Sequence, residues 1–402
     1  MKKLILTSVL VAFVLLGSTY FIGEMVQKEL PKQLAKPNSL QITTELISYQ
    51  KSFLSANMKL KVTLPVEGSE PLQLLIDSDI HHYPYKATAI NHITLLDSEP
   101  AKKIEAFFDG DDWITSYADL TLLGELTGEF HLSNGSFESK NESLSTEPLN
   151  FVYKYNVLDN SSEFNIDWVG FAGKTPEGAF SAKEIDATYH LSHLPNTPLI
   201  NYQYQAVVKK FELGNAVKNL SIQGVSLEGE NEISENLLTV NTSNEWKIKE
   251  YSDGTKVFTD NHINLHLSDL NLNALIVERT GISGSEVSQQ IFNDLLNQGF
   301  NLHLQDLYSN TPWGKVDGKL KMDIQPGMTL AQVVENPFLL IDYVNGNLDL
   351  SLPQKLSEQA ELGDFLKMGT MSGVLKPEGE QLTVKSTLDR GELKINDRII
   401  PM

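Results

Sequence analysis

From about residue 40 onward, one pattern recurs more than any other: apolar and polar residues in strict alternation. Met58, Leu60, Val62 and Leu64 alternate with Lys59, Lys61 and Thr63. Tyr202, Tyr204, Ala206 and Val208 follow the same rule, as do Ile263, Leu265 and Leu267, then Phe300, Leu302 and Leu304. Val316 through Ile324 and Leu348, Leu350 and Leu352 continue it. Successive side chains of a strand point to opposite faces, so this period buries one face and wets the other. A parallel sheet covered on both sides would show unbroken apolar runs instead, so the pattern predicts antiparallel pairing. Asn134-Gly135, Asp253-Gly254, Asp317-Gly318 and Asn345-Gly346 supply the turns.

Helical periodicity is confined to a few stretches. Val287, Ile291, Phe292, Leu295 and Leu296 form one apolar stripe, with Ser283 or Ser285 as cap and Gly299 as terminator. A second helix is expected over Thr329 to Glu335, before Pro337. A third is expected from Pro353 to about Met368, with Leu356, Leu362, Phe365 and Leu366 inward. Pro100 to Phe108 reads as a shorter one. The fold class is therefore mainly β with some helices, an α+β arrangement built on an extended curved antiparallel sheet. Three stretches, around Gly128, Gly318 and Gly346, share the form apolar-x-Gly-x-apolar-x-apolar, which suits a bulge or sharp turn just before an alternating strand. Ordinary hairpins drawing on the same turn chemistry account for it equally well.

The start of the chain obeys a different rule. Met1-Lys2-Lys3 is followed by an uncharged run from Leu4 through Phe13 to Gly23, 20 residues long. At about 1.5 Å per residue it spans roughly the 30 Å of bilayer hydrocarbon. Gly17-Ser18-Thr19 is a poor cleavage site because Thr is bulky at its last position, so an uncleaved membrane-spanning anchor is expected. The organisation expected is an anchor over 1–23, a stalk over 24–40, a β-rich region over 41–270, and a β-rich region with packed helices over 271–402.

Composition then excludes whole classes of chemistry. The 402 residues contain 32 Lys and Arg against 52 Asp and Glu, a net charge of −20, and no Cys. Such acidity excludes electrostatic coverage of nucleic acid. The missing Cys excludes disulfide scaffolds, thiolate metal sites and thiol nucleophiles. Without its first 23 residues, and so without Lys2 and Lys3, the chain carries −22. Lysines flank the apolar run on both sides, so loop charge barely orients it. An export-like start and a Cys-free body favour a cytoplasmic N-terminus and a periplasmic bulk.

Local motifs do not add an activity. Trp168 stands where a phosphate loop requires Gly, and Pro176 forbids the helix that would follow. Asp109-Gly110-Asp111-Asp112 lacks calcium-loop spacing. His262 and His266 fall on one strand face about 13 Å apart, too far for one metal. His190 and His193 would need a helix that their neighbours do not make, which leaves His81, His82 and His92 as the best cluster. No catalytic, cofactor or metal residue is assigned.

Two stretches resemble a known group. Tyr49-Gln50-Lys51-Ser52-Phe53-Leu54-Ser55-Ala56 is similar to the Tyr-x-Arg-Gly-aromatic-Phe-Ser-Ser signature of the bacterial YdgA-like proteins, domain-of-unknown-function family 945. The end of the chain, from Gly391 through Leu393, Ile395 and Asn396 to Pro401, resembles that family's closing hairpin. Tyr49, Lys51, Phe53, Ser55, Gly391, Asn396 and Pro401 carry the match. Lys51, Ser52 and Asp397 depart from it, and the lysine gives up the bidentate geometry of arginine. The resemblance implies a Gram-negative inner-membrane protein and nothing catalytic. Physically, residues 49–56 form the bend of a first hairpin with Lys51 at its tip, within reach of lipid headgroups if the stalk is short.

The sequence reading is thus a single-pass bacterial inner-membrane protein with its bulk in the periplasm. Its expected role is non-enzymatic envelope binding or scaffolding, including lipid handling; the alternative is a periplasmic hydrolase with residues dispersed in sequence. Membrane lipids are expected partners through the N-terminal helix. An envelope protein, a lipid ligand or a second copy of the chain remain open as further partners, and no nucleic acid or cofactor is expected. A curved sheet could hold an acyl chain on its apolar face, or the two larger helices could simply cover that face.

Overall fold

In the computed structural model, residues 43–400 are described, apart from short stretches at 53–54, 67–68, 84–85, 109–112, 122, 157, 196, 198, 216–218, 277–283 and 360–361. The anchor residues Leu4, Phe13 and Gly23 and the stalk lie outside them, as do Phe53 and Pro401. No helix among the described residues is long and apolar enough to cross a membrane. Every strand pairing among them is antiparallel, as the alternation requires. The chain divides into two units, Met1–Thr197 and Pro198–Met402.

In the first unit, β1 (Thr43–Lys51), β2 (Ser55–Leu64), β3 (Leu72–His82), β4 (Lys86–Leu95), β5 (Ile114–Thr121) and β6 (Glu125–Leu132) pair in chain order. A short hairpin, β7 (Gly135–Glu138) and β8 (Ser143–Thr146), interrupts the series before β9 (Leu149–Asn156) pairs back on β6. The longer β10 (Ser161–Thr175) and β11 (Gly178–His193) complete it. The inward positions of β2 and β3 are shut off from water: Met58, Leu60, Val62 and Ile76 are each 0% exposed. Phe130, Phe151 and Tyr153 pack into the same core. Complete burial of such a side chain contributes about 1.5–3 kcal/mol. Helix α1 (Glu99–Phe108) begins where Ser98 Oγ accepts the Ala101 N–H at 3.2 Å, and it packs on β3 and β7. One inward row is polar, from Ser78 to Asn91 to Ser116 on adjacent strands. Asn91 Nδ2 donates to Ser116 Oγ at 3.1 Å, while Ser78 Oγ and Asn91 Oδ1 have no partner.

The second unit is a meander of longer strands: β12 (Ile200–Gly214), β13 (Asn219–Ile233), β14 (Thr239–Ser252), β15 (Val257–Asn271), β16 (Phe300–Thr311), β17 (Gly314–Ile324) and β18 (Val344–Pro353). β20 (Gln381–Asp389) follows on β18, with β19 (Lys376–Glu378) beside it, then β21 (Glu392–Ile395) and β22 (Arg398–Ile400). Helices occupy the ends. α2 (Leu272–Ile276) and α3 (Gly284–Gln298) lie after β15, and α4 (Leu330–Glu335) and α5 (Leu340–Tyr343) precede β18. Thr329 and Gln332 form a reciprocal capping box on α4, and Gly299, with φ +75°, ends α3 as expected.

Two expectations need correction. The single helix foreseen from Pro353 to Met368 is instead a 3₁₀ turn over Gln354–Glu358 and a separate helix, α6 (Gly363–Met371). The restart rotates the apolar stripe: Leu356 and Leu366 are buried, whereas Leu362 and Phe365, expected inward, are 49% and 69% exposed. Gly363 sits against the Ser357 carbonyl, where a Cβ would collide with backbone, so the turn and the helix meet only through glycine. The glycines of the shared pattern, Gly128, Gly318 and Gly346, lie inside β6, β17 and β18 rather than before them, and none has a positive φ. Their common cause is close approach. The space a Cβ would fill is taken by the Tyr153 ring at Gly128, by Leu350 at Gly318 and by the Lys321 carbonyl at Gly346.

Candidate functional site

The strands of the second unit have two chemically distinct faces. Registration across β12 to β20 aligns Ala206, Leu227, Trp246, Ile263, Leu307, Gly318, Leu350 and Val384 in one row. A neighbouring row runs from Tyr204 through Gly229, Asn244, Leu265, Leu304 and Leu320 to Leu348. The intervening residues of the same strands are polar or charged: Gln205 donates to Glu228 at 3.1 Å, and Lys247 pairs with Glu245 at 2.7 Å. Such a sheet has one polar face and one apolar face.

What distinguishes the apolar face is its degree of cover. At its ends the side chains are buried. Leu356, Leu366 and Leu375 pack on Leu382 and Val384 at one end, and Ile233, Val240, Leu270, Leu272 and Leu296 are buried near α2 and α3. Between them, Leu227, Ile263, Leu265, Leu304, Leu307 and Leu320 are only partly buried, and Trp246 is 37% exposed. The two larger helices therefore do not cover the middle of the face. Polar groups there are tied to the sheet itself. Tyr204 lies over Gly229 and its hydroxyl donates to Asn244 Oδ1 at 3.0 Å. The Asn231 amide accepts the Tyr202 N–H and donates to the Ile200 carbonyl.

Two β-bulges keep this face in phase. Between β16 and β17 the register shifts from Leu304 to Leu307, so residues three apart both reach the apolar side. Between β14 and β15 the shift leaves Leu267 and Leu270 on that side, with Asp269 at φ +59°.

The polar face carries a charged group of its own. His262 Nε2 lies 2.7 Å from Glu245 Oε1, and its Nδ1 lies 3.6 Å from Asp306 Oδ2. The Lys247 hydrogen bond, reinforced by His262, holds the Glu245 carboxyl below its usual value despite partial burial. In the first unit burial raises Asp119, but hydrogen bonds from Lys86 and Thr88 outweigh it and hold the carboxyl low. All carboxylates with a resolved shift among the described residues are lowered, the direction of ion-paired or turn-bound groups and the opposite of a general acid. A hollow of about 650 Å³ between α3 and α4 is lined, among the described residues, by Gln289, Asn293, Asp294 and Glu335 without His, Ser or Lys.

The residues singled out in the sequence do not converge. Tyr49 and Ser55 lie in β1 and β2, joined by the expected hairpin, with Lys51 opposite Ala56. Gly391 and Asn396 belong to the other unit, where Asn396 at φ +47° and Asp397 at φ +66° form the tight closing turn. Asn396 does more than turn the chain: its Nδ2 donates to the Val374 carbonyl at 2.8 Å and its Oδ1 accepts the Lys385 N–H at 2.9 Å. It thereby fastens the hairpin to the segment after α6. His190 and His193 sit on β11, a strand. His81 and His92 are exposed, and no group of three metal-binding side chains occurs among the described residues. The Asp109–Asp112 turn lies outside the described residues. Sequence reasoning missed the half-covered middle of the second unit, because alternation reports which face is apolar and not what lies over it.

No curated protein and no solved structure matches the chain significantly. A family match does exist. It spans residues 1–277, taking in the Tyr49–Ala56 hairpin and leaving the closing hairpin beyond its end. By that match, over more than half its length, the chain belongs to a bacterial protein family of unknown function, DUF945.

Proposed function

We propose that this protein is a non-enzymatic lipid-handling component of the bacterial envelope. In this reading residues 4–23 tether it to the inner membrane, the bulk is periplasmic, and the apolar face of the second unit holds an acyl chain. The observation that carries the reading is that face: two registered apolar rows across seven or more strands, half-buried in the middle and closed by helices at both ends. An apolar surface of this extent left partly in water is disfavoured unless something covers it. A hydrocarbon chain needs no polar partner, and the Tyr204 and Asn231 groups on this face are already satisfied by the sheet.

Native mass spectrometry of the detergent-extracted full chain tests this. A bound lipid mass is expected on the wild type and is expected to be lost in L265D or L304D, which place a carboxylate at one registered pair of the face. Both positions are half-buried, so each variant should keep its strand content by circular dichroism. A wild-type protein that is consistently empty would overturn the proposal.

A further inference from the structure

The apolar face of the second unit is not uniform along its rows. On β12, β13 and β14 it carries Tyr202, Tyr204, Asn231, Thr242 and Asn244. At the same registers β15, β16 and β17 carry Leu265, Leu267, Leu302, Leu304, Leu320 and Met322. The row then reaches Leu348 of β18, which packs against the buried cluster that closes this end. One side of the face is therefore aliphatic and the other bears hydrogen-bonding groups.

Some of those groups are used by the sheet: Tyr204 donates to Asn244 Oδ1, and Asn231 is tied to the β12 backbone. Three donors beside them are not used. The Tyr202 and Thr242 hydroxyls and the Asn244 Nδ2 have no hydrogen-bond partner among the described residues, and none of the three is sealed from solvent. Charge is missing here too. The rows through Tyr202, Tyr204 and Ala206 contain no Asp, Glu, Lys, Arg or His from β12 to β18.

These two facts together select a ligand chemistry. A free carboxylate laid on this face would lose water and gain no counter-charge. An ester carbonyl is uncharged and accepts from a hydroxyl or an amide, which are the donors left over. The dimensions agree with an acyl chain beyond the ester. β15 to β18 covers three inter-strand spacings, about 14 Å. One leaflet holds about half of the roughly 30 Å bilayer hydrocarbon, a similar length.

We propose that the occupant of this face is an ester-linked glycerolipid rather than a free fatty acid. Its ester carbonyls accept from Tyr202, Thr242 and Asn244, and its chain lies across β15 to β18. This rests on the acyl-chain reading above and names the ligand class of that same site.

The test offers the detergent-extracted full chain equal amounts of dipalmitoyl phosphatidylglycerol, its dihexadecyl ether analogue and palmitate, with occupancy read by native mass spectrometry. The ether analogue keeps the chains and the headgroup and lacks only the carbonyls. The ester lipid is expected to exceed the ether by about fivefold, the effect of one ordinary hydrogen bond, and to exceed palmitate as well. Y202F/T242V removes two unpaired hydroxyls with little change of shape and should bring ester occupancy down to that of the ether. Equal ester and ether occupancy on the wild type would overturn this inference and leave the acyl-chain reading standing. So would palmitate in excess of both, or an ester preference that survives in Y202F/T242V. A wild type left empty by all three probes would remove the acyl-chain reading and this inference with it.

Discussion

The same alternation gives two different interiors. In the first unit it yields a row of side chains with no exposure at all, from Met58 to Val62 and Ile76. In the second unit the equally regular pairs Ile263–Leu307 and Leu265–Leu304 stay partly exposed. The local pattern is alike, and the difference lies in what covers it. The first unit packs Phe130, Phe151 and Tyr153 into its own core, whereas the helices of the second reach only its ends. A strand's periodicity therefore states that a face is apolar, and burial is decided by elements distant in sequence.

This contrast can be broken by substitution. The largest effect is expected for Ile76→Ala, which opens a cavity in a fully buried site and should cost about 2–5 kcal/mol. Leu304→Ala removes a group already partly hydrated and should cost roughly 1 kcal/mol. Native-state hydrogen exchange, read separately for strands of each unit, measures both. Equal costs would mean that the apolar face of the second unit is as well covered as the first core. A smaller difference is expected between two strand glycines. Gly128→Ala pushes against Tyr153, a ring that is only 3% exposed and has no room to move, so about 1–3 kcal/mol should be lost. Gly318→Ala meets the flexible end of half-buried Leu350 and should lose under roughly 1 kcal/mol. Thermal unfolding of the pair ranks them, and the reverse order would show that the second unit is the tighter of the two.

The smallest effect concerns pH. In the turn between β14 and β15, the Asp253 carboxylate accepts from the Thr255 hydroxyl and from the N–H groups of Thr255 and Lys256, which lowers its pKa from 3.8 to about 2. A lowered carboxylate stabilises the folded state above its ordinary value, and that contribution disappears as pH falls from 3.8 through 2. Titration of the Asp253 carboxyl by NMR should give a midpoint near 2, while a midpoint near 3.8 would show the turn to be loose.

Much of the architecture was legible in the sequence, for identifiable reasons. Alternation located β2, β12, β15 and β18, and Thr329 with Pro337 bounded α4. The closing turn at Asn396-Asp397 was legible because these residues tolerate positive φ. Phase was not legible where a bulge resets it. After Leu304, strict alternation would turn residue 306 inward, but Asp306 faces the polar side with His262 and Leu307 takes the apolar position. Nor was the break between Glu358 and Gly363 legible, since Leu356, Leu362, Phe365 and Leu366 satisfy one continuous helix on paper. That break converts two expected core residues, Leu362 and Phe365, into surface ones.

The second unit is also a meander in which β12 through β18 each pair with the next strand in the chain. Its strands pair in chain order, so most pairings close short turns, while the β15–β16 and β17–β18 connections, which carry the helices, close longer ones. The same connectivity makes its width adjustable. Adding or removing one hairpin changes the sheet by about 10 Å and leaves every other pairing intact. In a sheet built this way, the span of the apolar face is set by the number of hairpins, and its chemistry by the residues within each.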